Sequence, residues 1–197
     1  MADTAKVVRF GLTNLHYAPL DEETDKYSTP VRVRGAVNMT TTAEGSSSTF
    51  NADNGAYYVT NANNGYSGSI EIAATEDQML VDLFGFEKDA NGMIVEFSDA
   101  VAKPCALLFE VSSNLKPQRF VLYNVTFSRP SQNANTTGGD STDPDTITLE
   151  FTAVSKDFEY GTETRPSVKG HLTKTTDTAT AYGNFFNAVM EPSKLSA

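Results

Sequence analysis

The chain has 197 residues, a length that favours one domain with a core of its own. Its net charge of −10, with no clustered run of Lys and Arg, argues against a surface that binds DNA or RNA, because phosphate binding draws on clustered cations. The single cysteine, Cys105, excludes an internal disulfide, and its place in the apolar run CALLFEV reads as a small buried hydrophobe rather than a nucleophile. Hydrophobic residues make up 39%, so 12 Phe and 8 Tyr are expected to supply much of the core. The N-terminal MADTAKVVRF lacks the apolar stretch of a signal peptide, and no apolar run is long enough to span a membrane. The expectation is a chain made and folded in a cytoplasm, where the sequons at Asn38, Asn124 and Asn135 carry no glycosylation meaning.

In chain order, residues 7–12 read as a first strand ended by Gly11, Thr13 and Asn14. The acidic loop DEETDKYSTP follows. Residues 31–39 form a second strand in which Gly35 marks a bulge or a close backbone approach. Residues 40–56, TTTAEGSSSTFNADNG, are long for a hairpin loop and read as a protruding arm carrying Glu44, Phe50, Asn51 and Asp53. The YYVT segment and the strand after it are expected to return antiparallel to the second strand.

Residues 65–85 change period from two to 3.6. Ile70 and Ile72 alternate with Ser69 and Glu71 along a strand, and a capping box from Thr75 to Gln78 opens a helix. Met79, Leu80, Leu83 and Phe84 share its packing side, and Gly85 is a left-handed stop. After it, Asn91-Gly92 signals a hairpin into a short strand at 93–97. Residues 105–111 and 119–129 are further strands. On the latter, Val121, Tyr123, Val125 and Phe127 are assigned to one face and Asn124, Thr126 and Ser128 to the other. A second polar loop spans 130–145, and 146–154 is the cleanest strand, with Thr148, Glu150 and Thr152 outward. From Lys156 the periodicity fades, leaving an aromatic cluster of Tyr182, Phe185, Phe186 and Val189 that forms a short docked helix or packs on a neighbour. The fold class is mainly β, a sandwich- or barrel-like pair of sheets with one flanking α-helix. Residues 1–155 form the β domain and 156–197 a partly irregular extension.

Motifs for catalysis are absent. His16 and His171 have no Cys or His at metal-ligand spacing, there is no Gly-x-Ser-x-Gly elbow, and no Gly-rich loop precedes a helix. Asp140, Asp143 and Asp145 miss the EF-hand pattern. No enzyme, cofactor or metal is expected. Three strands each carry one Glu on the more polar face, Glu71, Glu110 and Glu150, among Asn, Ser and Thr.

Several blocks in one order resemble a known family: VRFGLTNLHYAP (8–19), YYVTNANNGYSGSIEIA (57–73), DLFG with DANG (82–92), AKPCALLFE (102–110), VLYNVTFSRPS (121–131) and TITLEFTA (146–153). Together they resemble the major tail proteins that build the tail tube of long, non-contractile-tailed phages and prophages of Gram-positive hosts. The resemblance covers residues 8 to about 155 and is loose beyond. It implies a β-sandwich-like fold with a flanking helix, six-subunit rings whose inner sheets join into a barrel, and stacking of those rings into a hollow tube. It implies a virion protein whose partners are itself and the tape-measure, tail-tip and tail-terminator proteins, with double-stranded DNA in transit and no membrane. On it, Glu71, Asn124, Thr126, Thr148, Glu150 and Thr152 are candidates for lining the lumen. Arm residues Glu44, Phe50, Asn51 and Asp53 are candidates for contacting the next ring. A conduit should present neutral or repulsive groups to phosphate, which suits the acidic balance. The competing expectation is a monomeric carbohydrate-binding β-sandwich using Tyr57, Tyr58 and Tyr66 as stacking residues.

Overall fold

A computed structural model describes residues 6–132, 134 and 145–193. The chain runs β1 (Arg9–Asp21), β2 (Lys26–Tyr27), β3 (Val31–Arg32), β4 (Ala36–Glu44), β5 (Ser47–Ala52), β6 (Gly55–Asn61), β7 (Gly65–Ile72), α1 (Asp77–Phe84), β8 (Glu87–Lys88) and β9 (Ile94–Val95). It continues with β10 (Cys105–Ser113), β11 (Gln118–Phe127), β12 (Ile147–Val154), β13 (Lys156–Tyr160), β14 (Glu163–Ser167), β15 (Lys169–Thr173) and α2 (Ala179–Asn184). The protein is mainly β and sandwich-like, as the sequence predicts. One antiparallel sheet follows the order β2-β1-β10-β11-β12-β7-β4, with β3 also on β1 and β15 also on β11.

Alternation decides which face of this sheet is buried. Leu15 and Tyr17 of β1, Ile70 and Ile72 of β7, Leu107 and Phe109 of β10, and Leu149, Phe151 and Ala153 of β12 all enter one core. A period of two places every second side chain on the same face. The α1 helix closes this core with Met79, Leu83 and Phe84 buried and Leu80 packed at the margin, so the predicted packing side holds. Gly85 takes φ 70 as the left-handed stop. The capping box does not form. Glu76 is the N-cap, extended and without a side-chain bond, and the Gln78 amide donates instead to Asp82 Oδ1 one turn on, at 2.8 Å.

Several boundaries differ from the sequence reading. The first strand does not stop at Asn14, because a bulge between Thr13 and His16 absorbs that residue at φ 52 and pairing with β10 continues to Pro19. The second strand breaks at Gly35, whose φ is +76 and whose added Cβ would lie 2.8 Å from that of Ala73, a close backbone approach. YYVT does not pair with that strand; Tyr58 faces Phe50 across the separate β5–β6 ribbon. On β11 the assigned faces are wrong for half the strand. Leu107 pairs Leu122 while Cys105 pairs Val125, so a bulge at Tyr123-Asn124 reverses the alternation. Phe120 and Leu122 therefore share the first core with Val125 and Phe127, and Val121 and Tyr123 face the other way.

The C-terminal region is more regular than its sequence suggests. It forms the β13–β14 hairpin, β15 along β11, and α2. Phe158 and Phe185, with Phe186, Val189 and Met190, cover Ala18, Ala106, Leu108, Val121 and Tyr123 in a second core on the opposite face of the sheet. The aromatic cluster is thus a short docked helix and strap on its own chain. Asp140 and Asp143, the sequon at Asn135 and most of the 130–145 loop lie outside the described residues.

Candidate functional site

The face that carries the second core is divided at β11. On the β1 and β10 side it lies under the C-terminal strap. On the other side, across β12, β7 and β4, polar side chains line up in register. Thr148 faces Glu71 and Glu71 faces Asn38; Glu150 faces Ser69 and Ser69 faces Thr40; Thr126 faces Thr152, Thr152 faces Ser67, and Ser67 faces Thr42. Directly paired residues in an antiparallel ladder project to the same side, and strands lie about 4.8 Å apart, so these rows form a patch about 14 Å across four strands.

All six sequence-predicted face residues fall on this side. Thr126, Thr148, Glu150 and Thr152 are exposed, and Asn124 and Glu71 are half-buried. Asn124 reaches the face only because of the bulge beside it, and it faces Val154. Glu110 does not join them. It lies on β10 beneath the strap, paired with Arg119 at 3.0 Å and receiving an Asn14 amide bond at 3.0 Å. In its place β4 contributes a carboxylate that sequence reasoning gave to the arm: Glu44 accepts the Ser67 hydroxyl at 2.5 Å. Thr40 and Ser69 hydroxyls meet at 2.9 Å, and the Thr146 hydroxyl donates to Glu71 at 2.6 Å. The patch thus holds Glu44, Glu71 and Glu150 among hydroxyls and amides, and no Lys or Arg occupies any of its positions. Between Ser67 and Ser69, Gly68 turns its side-chain position to the core face, where a Cβ would lie 2.2 Å from the Thr40 carbonyl oxygen and 2.6 Å from the Phe151 ring, so the strand can carry no side chain there.

The arm continues the β4–β7 pairing outward. Asn64 N–H donates to the Glu44 carbonyl and Ala62 N–H to the Ser46 carbonyl, and the β5–β6 ladder follows. The predicted arm 40–56 is therefore shifted. Residues 40–44 belong to the sheet, and the free ribbon is 47–61, turning at Asp53 and Asn54, both at positive φ as a type I′ turn requires. Of its residues only Ala52 is other than exposed. Phe50 meets Tyr57 edge-on at 6.5 Å, and Asn51 lies at a bulge. Tyr66 is not part of this cluster. It is half-buried against the first core, with the Lys169 ammonium 5.0 Å from its ring centre, so the three tyrosines form no common stacking platform.

Beneath the strap the Arg119 guanidinium lies over the rings of Tyr182 at 4.0 Å and Phe186 at 4.5 Å and donates to the Tyr182 carbonyl oxygen. His16 stacks on the Phe186 ring at 4.4 Å. Burial holds the His16 pKa down, Arg32 and Arg119 lower it further, and a bond to the Asn14 carbonyl opposes them. For Glu110, burial pushes upward but the Asn14 and Arg119 bonds and the Arg119 charge prevail, so its pKa is lowered. Burial pushes the Cys105 thiol well up, which suits an inert core residue. Among the described residues no group of three or more His, Cys, Asp or Glu is placed to hold a metal ion, and no helix is long and apolar enough to cross a membrane. In comparisons with known proteins, no family model and no curated protein matches the sequence.

Proposed function

We propose that the chain is a structural subunit of a phage tail tube, assembling as hexameric rings that stack into a hollow conduit for DNA. The observation that carries this reading is the in-register polar face of β4, β7, β12 and β11, backed by a packed core and free of cations. A wall of hydroxyls, amides and scattered carboxylates repels or ignores phosphate, so a duplex passes without being held. Among the described residues the sheet that carries this face ends in an unpaired edge at β4, and copies of one chain joined edge to edge by a rotation form a closed ring that removes such edges. On this reading Glu71, Asn124, Thr126, Thr148, Glu150 and Thr152 line the lumen. The α1 helix packs behind the wall, and tape-measure, tail-tip and tail-terminator proteins are the further partners. The protein is then a virion component made in the host cytoplasm, with no catalytic role.

Electron microscopy of the purified protein, alone and with tail-initiation partners, tests this directly. Rings with six-fold symmetry or hollow tubes are expected. A protein that stays monomeric with those partners and binds glycans would sink the proposal. Replacing Glu71 and Glu150 together by Lys should leave tube formation intact, because both lie on an uncovered face, and should make the tubes retain double-stranded DNA at low salt. Tubes of the double variant that retain no more DNA than the parent would remove these two residues from the lumen.

A further inference from the structure

Beyond the edge-on contact of Phe50 with Tyr57, no described residue covers the β5–β6 arm. Phe50, Tyr57, Tyr58 and Val59 are each more than half exposed, at 62%, 71%, 62% and 52%. A two-stranded ribbon of this kind is marginal in water and gains order by covering its apolar side chains. Elsewhere the fold leaves a cleft of about 420 Å³ between β1 and β4, walled by Phe10, Leu12, Val37, Met39, Phe109 and Val111. Phe10 and Val37 stand open at its mouth, at 70% and 56% exposure. Both flanking strands present free backbone groups to it. Among the described residues β4 pairs only with β7, and residues 9–13 of β1 pair only with β10.

Charge marks the same two surfaces. Between residues 45 and 64 the arm bears one ionisable charge, Asp53 at its turn. The cleft is rimmed by Arg9, and Lys169 lies near enough to feel its charge. Neither cation has an ion-pair partner among the described residues. The arm cannot reach this cleft in its own chain. The cleft flanks residues 37–41, and the arm leaves the opposite end of β4 at Glu44, carrying Asp53 about 30 Å further along the ribbon at about 3.3 Å per residue.

We propose that the arm of one copy seats in the β1–β4 cleft of a second copy, laying Phe50 and Tyr57 against Phe10 and Val37 and bringing Asp53 to Arg9. The contact joins two different surfaces of one chain, so it repeats from copy to copy. The inference rests on the reading above that copies of the chain assemble, and it names the receiving surface for the arm.

Two variants test it, one with Phe10→Cys and the other with Tyr57→Cys, the two positions that the contact brings together; the native Cys105 is fully buried and does not compete. The two are mixed at high concentration under mild oxidation and the disulfide-linked heterodimer is measured on a non-reducing gel. A heterodimer well above that from Phe10→Cys mixed with Glu87→Cys is expected, Glu87 being exposed on β8, which pairs with β9 and is not part of the arm. Arg9→Asp in the first chain should lower the yield about two- to fivefold, and Asp53→Arg in the second should restore it. A yield no higher than the control overturns the proposal. If rings or tubes form at that control yield, the cleft contact fails while the tube reading stands. If the heterodimer forms but particles are neither rings nor tubes, the contact stands and the tube reading fails.

Discussion

Arg119→Ala is the most informative single change in the fold. The guanidinium performs three tasks at once: it neutralises Glu110 at 3.0 Å, covers two aromatic rings of the strap, and bonds the Tyr182 carbonyl. The Arg119 and Glu110 side chains are each 15% exposed, so the pair lies near the buried limit without reaching it. Breaking a fully buried pair costs about 3–5 kcal/mol because a charge is left behind, and the residual exposure reduces that to about 2–3. Loss of the two ring contacts adds roughly 0.5–1 kcal/mol each. The expected total is about 3–5 kcal/mol, with the strap released first because α2 is a short helix with few buried residues of its own. Urea unfolding followed by circular dichroism gives the stability. Hydrogen exchange of peptides from 178–190 gives the local effect, and their protection should collapse before that of β10 and β12. Arg119→Ala combined with Glu110→Gln should recover about 1–2 kcal/mol, because no orphaned carboxylate remains. A single variant that loses less than about 0.5 kcal/mol and keeps full strap protection would refute the view that this cation holds the strap.

Other consequences concern pH, packing and backbone. His16 has a lowered folded pKa against 6.5 in the open chain, so its contribution is fully present above pH 6.5 and is lost as pH falls toward the folded value. Stability measured between pH 7.5 and 5 should therefore fall on acidification, and His16→Phe should flatten that slope; an unchanged slope would assign it to other groups. Glu110 acts in the same direction at lower pH, its contribution declining as pH drops below the ordinary carboxylate range. Leu83 is fully buried beneath the sheet, so Leu83→Asp should cost more than about 4 kcal/mol and yield insoluble protein; soluble, assembly-competent protein would mean that α1 is not docked through this residue. Gly65 sits at φ +101 with a Cβ position 2.0 Å from the Ala153 carbonyl oxygen, and Gly65→Ala should destabilise by about 1–3 kcal/mol in the same urea assay. A smaller loss would show that the start of β7 shifts freely.

Much of the fold is local chemistry and is legible in the sequence. The alternation in 146–154 and 68–74 marks two central strands and their buried sides, because a one-residue slip would turn Leu149 or Ile70 to water. The spacing of Met79, Leu83 and Phe84 with Gly85 behind them defines the helix and its stop. The polar face followed from the same alternation, which is why its six candidates fall on one side. What failed depended on partners distant in sequence. The bulge at Tyr123-Asn124 exists because β11 must match β10 on one edge and β12 on the other, and no local pattern announces it. Glu110 looked like Glu71 and Glu150 by alternation, yet a strap more than sixty residues downstream covers it and supplies the rings around its arginine partner.

The sequence by itself therefore determined the mainly β composition, the helix α1 with its stop, and which side of β7 and of β12 is wet. Those properties reside in side-chain period and charge, which a chain carries before it folds. Tertiary structure alone decided that the wet positions of four strands lie in register, that the C-terminal strap stops at β11 and leaves them bare, and that the arm extends beyond the sheet. Each of those is a matter of register between distant segments, set by how bulges and cores fit together.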